Sequence, residues 1–153
     1  MHDNCPFCGD LPSETDDDLP ATLLREYSNW TLVQAFNQYY LGRCIAVLDR
    51  HIVDLPDLDG EERDELFETV LPQLRAALDE LFQPDLINYA SLGNEVEHLH
   101  LHILPRYREP REVAGKRFND ENWGRHYKPY PRDFEISDHV FQTIRSRLQD
   151  ALP

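Results

Sequence analysis

The chain has 153 residues, enough for one domain with its own hydrophobic core. A formal net charge of −14 argues against a nucleic-acid binder, because a phosphate backbone is met by a basic surface. No run approaches the roughly 20 apolar residues of a membrane span, and no basic-then-apolar leader opens the chain, so a cytoplasmic protein is expected.

Residues 1–20 are polar, rich in Pro, Asp and Cys, and read as irregular unless something ties them down. They contain Cys5-Pro6-Phe7-Cys8, a spacing that in a cytosolic chain points to metal or thiol chemistry before a disulfide. Leu23 to Tyr27 and Trp30 to Phe36 read as strands joined by a tight turn at Ser28-Asn29. Leu41 to Leu48 reads as a third strand, opened by Gly42 and carrying the buried Cys44, with His51 just beyond its end.

Asp59-Gly60-Glu61-Glu62 has the look of a helix start. Leu66, Val70, Leu74, Leu78 and Leu81 follow at helical spacing, Pro72 should kink that helix, and Pro84 marks its end. Leu86 to Ala90 and Val96 to Leu104 read as two more strands around a Gly93-Asn94 turn, the second stopped by Pro105. Residues 106–135 are read as an irregular basic and aromatic segment. Between 106 and 132 it holds eight basic residues against four acidic ones, a local excess that could meet a small anion. Ser137 or Asp138 should cap a last helix carrying Val140, Phe141, Ile144 and Leu148. The order predicts a single α+β domain over 1–153, a mostly antiparallel five-stranded sheet with a long helix and a C-terminal helix.

The chemistry concentrates in His98-Leu99-His100-Leu101-His102. Alternate residues of a strand share a face, so the three imidazoles would line one side while the leucines pack on the other. Three adjacent imidazoles are a poor structural face, since each needs a polar partner. Spacing alone leaves three readings open: a zinc, iron or copper strand, a catalytic row, or chance.

The stretch from Asn88 to Arg106, with its His-apolar-His-apolar-His core, resembles the signature of the histidine-triad family. The segment from Asn37 through Gly42 to His51 resembles the family's earlier strand, and the match extends over roughly residues 5–108. The resemblance implies a fold of the family's type and cleavage at the α-phosphate of a dinucleoside polyphosphate or nucleoside phosphoramidate. His100 would be the nucleophile that forms a nucleotidyl-histidine, and His102 would donate a hydrogen bond or proton near the leaving group. It places Gly93 and Asn94 at the phosphate, Asn37 or Gln38 at the ribose, and Asn88 among the substrate-binding residues. Relatives with an N-terminal CxxC imply a structural zinc on Cys5, Cys8, His51 and His98, tethering residues 1–20, with no organic cofactor. They also imply a homodimer. Trp123 could stack on a base, and Arg106 or Lys128 could meet outer phosphates. Two other readings stand beside this one: a nucleotide-binding module with negligible turnover, and a protein whose triad is itself the metal site.

Overall fold

The computed structural model describes residues 5–8 and 21–153; the acidic run Asp16 to Asp18 and the rest of the N-terminal segment lie outside them. Strands β1 (Ala21–Glu26) and β2 (Trp30–Ala35) form a hairpin at Ser28-Asn29, closed by the Tyr27 N–H on the Trp30 carbonyl at 2.8 Å. The Glu65 carboxylate accepts the Ser28 and Asn29 N–H groups at 2.9 and 2.7 Å, fixing the turn to the helical layer. Strand β3 (Cys44–Leu48) begins later than the pattern suggested. Gly42 stands before it at φ +79°, and a Cβ there would lie 2.8 Å from Leu78 Cδ2, so the chain needs glycine both for its angle and for close approach to the helix.

The long helical run is built in three pieces. Helix α1 (Gly60–Glu65) opens on a capping box, in which Asp59 Oδ1 accepts the Glu62 N–H and Glu62 Oε2 accepts the Asp59 N–H. A π-helical turn over Leu66–Val70 then leads into helix α2 (Leu71–Leu81). Pro72 falls in the first turn of α2, so its missing N–H is met by a change of helical pitch at the place where a kink was expected. After α2, Gln83 turns left-handed at φ 51° just before Pro84.

Strands β4 (Leu86–Ala90) and β5 (His100–Arg106) complete a five-stranded sheet of order β1-β2-β3-β5-β4, antiparallel at every joint. Strand β5 starts at His100 rather than Val96 and runs through Pro105, which lies beyond its last pair with β3, Cys44 opposite Ile103. Residues 91–99 form a loop rather than a tight hairpin. The segment after β5 is more ordered than its composition suggested. It opens with a small hairpin of β6 (Arg111–Val113) and β7 (Lys116–Phe118), turned through Ala114 and Gly115, both at positive φ. Helix α3 (Asp138–Ala151) is capped by Ser137, whose hydroxyl accepts the Val140 N–H, and it buries the four residues read as its apolar face.

The helices pack on one face of the central sheet, and strand alternation sorts the chemistry. Cys44, Ala46 and Leu48 of β3, with Leu101 and Ile103 of β5, join Leu74 and Leu78 of α2 in the main core. The alternate residues Ile45 and Val47, with Val33 and Phe7, form a smaller cluster on the opposite face. His100 and His102 stand on that face, paired with Val47 and Ile45. No helix among the described residues is long and apolar enough to cross a membrane.

Candidate active site and metal centre

The Cys8 N–H bonds the Cys5 carbonyl at 3.1 Å, a turn that brings both thiols to one side. They meet His51 and His98 there. Cys5 Sγ lies 3.3 Å from His98 Nδ1, Cys8 Sγ lies 3.0 and 3.5 Å from the Nδ1 atoms of His51 and His98, and the two Nδ1 atoms are 3.2 Å apart. All four ligand atoms fall within 4.8 Å of one another. Bond lengths of about 2.0–2.3 Å to a tetrahedral ion give ligand separations of roughly 3.3–3.8 Å, so the cluster has the dimensions of a Cys2His2 site. The proton arithmetic agrees. His98 is buried, and its Nε2–H donates to the Leu48 carbonyl at 2.6 Å, which leaves the lone pair on Nδ1, toward the thiols. Burial, then the neighbouring His51 and His100, holds the His98 pKa below the usual histidine value and so favours the neutral form a metal requires. The residues present can therefore hold a metal ion.

On the same sheet face a cavity of about 1050 Å³ opens over His100 and His102. Phe7 and Ile45 line its apolar side, the loop Gly93 to Val96 one rim, and residues from Tyr127 to Ile136 the opposite rim. Phe7 touches both sites: its ring centroid lies 5.6 Å from that of His98 and 5.2 Å from that of His100.

Two neighbours fix the tautomers of the cavity histidines. His100 Nδ1 stands 2.7 Å from the His98 carbonyl, which can only accept, so Nδ1 carries the proton and Nε2 the lone pair. His102 has the opposite assignment. Its Nδ1 faces Arg43 Nη2 at 3.4 Å; a guanidinium can only donate, so Nδ1 accepts and Nε2 carries the proton. Burial, the Arg43 charge and His100, in that order, push the His102 pKa down to about 4, so this ring is neutral at physiological pH. The row thus holds one ring with its lone pair toward thiols, one able to attack as a base, and one able to donate a hydrogen bond.

Several residues stand elsewhere than the sequence suggested. Gln38 is fully buried away from the cavity, with Nε2 on the Ala35 and Arg43 carbonyls and Oε1 on the Gly42 N–H; it braces the loop before β3. Asn88 is not among the cavity residues, and its Oδ1 accepts from Arg106 Nη1 at 2.8 Å. Arg106 is buried in a 2.6 Å ion pair with Asp120 and is not among the cavity residues. Trp123 also lies off the cavity, with the Arg108 guanidinium over its ring. Asn37, Gly93, Asn94 and Lys128 do line the cavity. Asn37 has both ends of its amide engaged, with Nδ2 on the Pro131 carbonyl and Oδ1 on the Tyr39 N–H. Sequence reasoning missed Arg43, whereas Tyr130 belongs to the basic and aromatic segment the sequence marks. The available signal was a charged residue at the head of an otherwise apolar buried run, Gly42-Arg43-Cys44-Ile45-Ala46.

The family model of the HIT domain matches residues 33–109, and the chain belongs to that family, whose members are generally nucleotide-binding hydrolases and transferases. The fold is the HIT-like α+β fold. Among curated proteins, Protein hit of Bacillus subtilis is 25% identical over 97% of this chain and 98% of its own. Among solved structures, a histidine triad protein from Bradyrhizobium japonicum aligns at a TM-score of 0.70 with 22% identity, covering 88% of this chain and 92% of that one. A Zn-bound histidine triad family protein from Mycobacterium smegmatis aligns at 0.56 with 21% identity, covering 87% of each chain.

Proposed function

We propose that this chain cleaves at the α-phosphate of a dinucleoside polyphosphate or nucleoside phosphoramidate, with His100 as nucleophile. The observation that carries the reading is the 2.7 Å bond from His100 Nδ1 to the His98 carbonyl, which leaves the lone pair on Nε2 in a ring that lines the cavity. Nε2 bonds to phosphorus as the bond to the leaving group breaks and its electron pair departs with that group, as a phosphate anion or, for a phosphoramidate, as an amine whose nitrogen has taken a proton from solvent. The transiently cationic His100 ring is stabilised by the same carbonyl. Water then attacks phosphorus, the P–N pair returns to Nε2, and the water's proton passes to solvent. His102 donates Nε2–H to a phosphoryl oxygen or to the leaving atom, and Gly93 and Asn94 supply donors at the phosphate. Asn37 reaches the ribose by exchanging its bond to Pro131.

Cys5, Cys8, His51 and His98 would hold zinc, whose contribution is to anchor the N-terminal segment beside the cavity. The reading also takes residues 1–153 as a single domain and the protein as a homodimer, the latter checked by mass from light scattering.

AMP release from diadenosine tetraphosphate and from an adenosine phosphoramidate tests the enzymatic claim. The wild type should release AMP from one or both, and His100→Ala should lose about a thousandfold or more. If neither protein turns over either compound while both bind AMP, the chain is a binding module and the claim for these substrates falls.

A further inference from the structure

Arg43 is only 4% exposed, yet it lines the cavity and has no carboxylate partner among the described residues. Its contacts are all neutral: Nη1 to the Asn37 carbonyl at 3.4 Å, Nη2 to His102 Nδ1 at 3.4 Å and to the Tyr130 hydroxyl at 3.3 Å. Its Nε is buried without a hydrogen-bond acceptor. The guanidinium carbon lies 4.0 Å from the centre of the Tyr130 ring, which holds it flat. Arg106, the other buried arginine among the described residues, pairs with Asp120 at 2.6 Å. A buried cation held by long contacts to neutral groups, with a donor unused, lacks the counter-charge that ordinarily offsets its burial, and an anion in the cavity would supply it. Glu95, Glu135 and Asp138 also line the cavity, but they are exposed and none pairs with Arg43.

We propose that Arg43 is the anion-binding residue of this cavity, taking a non-bridging phosphate oxygen of the nucleotide beside His102, with the Tyr130 hydroxyl as the neutral stand-in that gives way to it. The proposal deepens the nucleotide reading and rests on it. Arg43 also keeps His102 in its Nε2–H tautomer, so one guanidinium both holds the phosphate charge and sets the neighbouring donor. Tyr130 belongs to the segment after β7, so this segment reaches the anion site through the ring that packs on Arg43, while Arg106 at its start is engaged by Asp120.

Titration calorimetry with AMP and with adenosine, on the zinc-loaded full chain, separates charge recognition from nucleoside recognition. Arg43→Gln should weaken AMP roughly ten- to hundredfold and leave adenosine within about twofold. Arg43→Lys keeps the charge without the fork and should fall between the two. Tyr130→Phe should bind AMP as tightly as the wild type or a few-fold more tightly. Wild-type affinity for AMP retained in both Arg43 variants overturns the role of Arg43 and leaves the nucleotide reading standing. Equal losses for AMP and adenosine in Arg43→Lys, whose fold is checked by its melting curve, also overturn it. A wild type that binds neither compound overturns the nucleotide reading itself, and this proposal with it.

Discussion

The Cys2His2 group and the cavity are built from adjacent members of one histidine row, and they differ in what faces each ring. His98 is closed in by Cys5, Cys8 and His51, and its outer nitrogen is tied to the Leu48 carbonyl. His100 and His102, two and four residues on, face a cavity and answer instead to a carbonyl and a guanidinium. The same residue type therefore presents three different faces, because three different neighbours decide where its proton sits. The two regions are also coupled. The His98 carbonyl orients His100, and Phe7, carried between the two cysteines, packs on both rings.

Variants that break this division rank by size. The largest effect is the loss of turnover in His100→Ala. Next comes the metal cluster: the double variant Cys5→Ala, Cys8→Ala should lose bound zinc by elemental analysis. It should also lose about 4 kcal/mol of stability where zinc stands a thousandfold above its Kd. Metal retained at full stoichiometry in that variant would place the ion on the triad instead. A smaller effect falls on His102. Its folded pKa of about 4 lies below the ordinary 6.5, so as pH drops the unfolded chain takes up the proton first. Stability contributed by the neutral ring is complete above about pH 6.5 and is lost between there and about pH 4. Urea midpoints at pH 7 and pH 5 should show His102→Asn losing about 1–2 kcal/mol less than the wild type over that interval. An unchanged difference would mean that His102 is not held neutral. Smallest is Phe7→Ala, which removes the wall shared by the two sites. Zinc stoichiometry should be kept while the Kd for AMP rises roughly fivefold, about 1 kcal/mol; a variant that loses zinc instead would make Phe7 part of the metal loop alone.

What could be read from the sequence was what local rules decide. The β1–β2 turn, the capping box at Asp59 and the Ser137 cap each rest on residues within a few positions of one another. The alternation of His100 and His102 against Leu101 and Ile103 is equally local, and the structure keeps it. The start of β5 was hidden because the His98 carbonyl is taken by a side chain, His100 Nδ1, while its ring is drawn toward the thiols. The β6–β7 turn was hidden by an alanine at a position that usually takes glycine or asparagine. Asn88, Gln38 and Arg106 stand off the cavity for a related reason. Their polar groups are satisfied within the protein, by partners such as Asp120 and the Gly42 N–H that the sequence does not mark. Arg43 was missed because its contacts come from residues 37, 102 and 130, brought together only by the sheet and the segment after it.

The central claim is that chemistry passes through His100 Nε2 while His98 is occupied with the metal cluster. Acid quenching is too harsh for a phosphorus–nitrogen bond, so the direct measurement is alkaline quenching of the enzyme during turnover of diadenosine tetraphosphate, followed by peptide mass spectrometry. A nucleotidyl adduct is expected on His100 and absent from His100→Ala. An adduct on His98 or His102, or turnover that persists in His100→Ala, would contradict it.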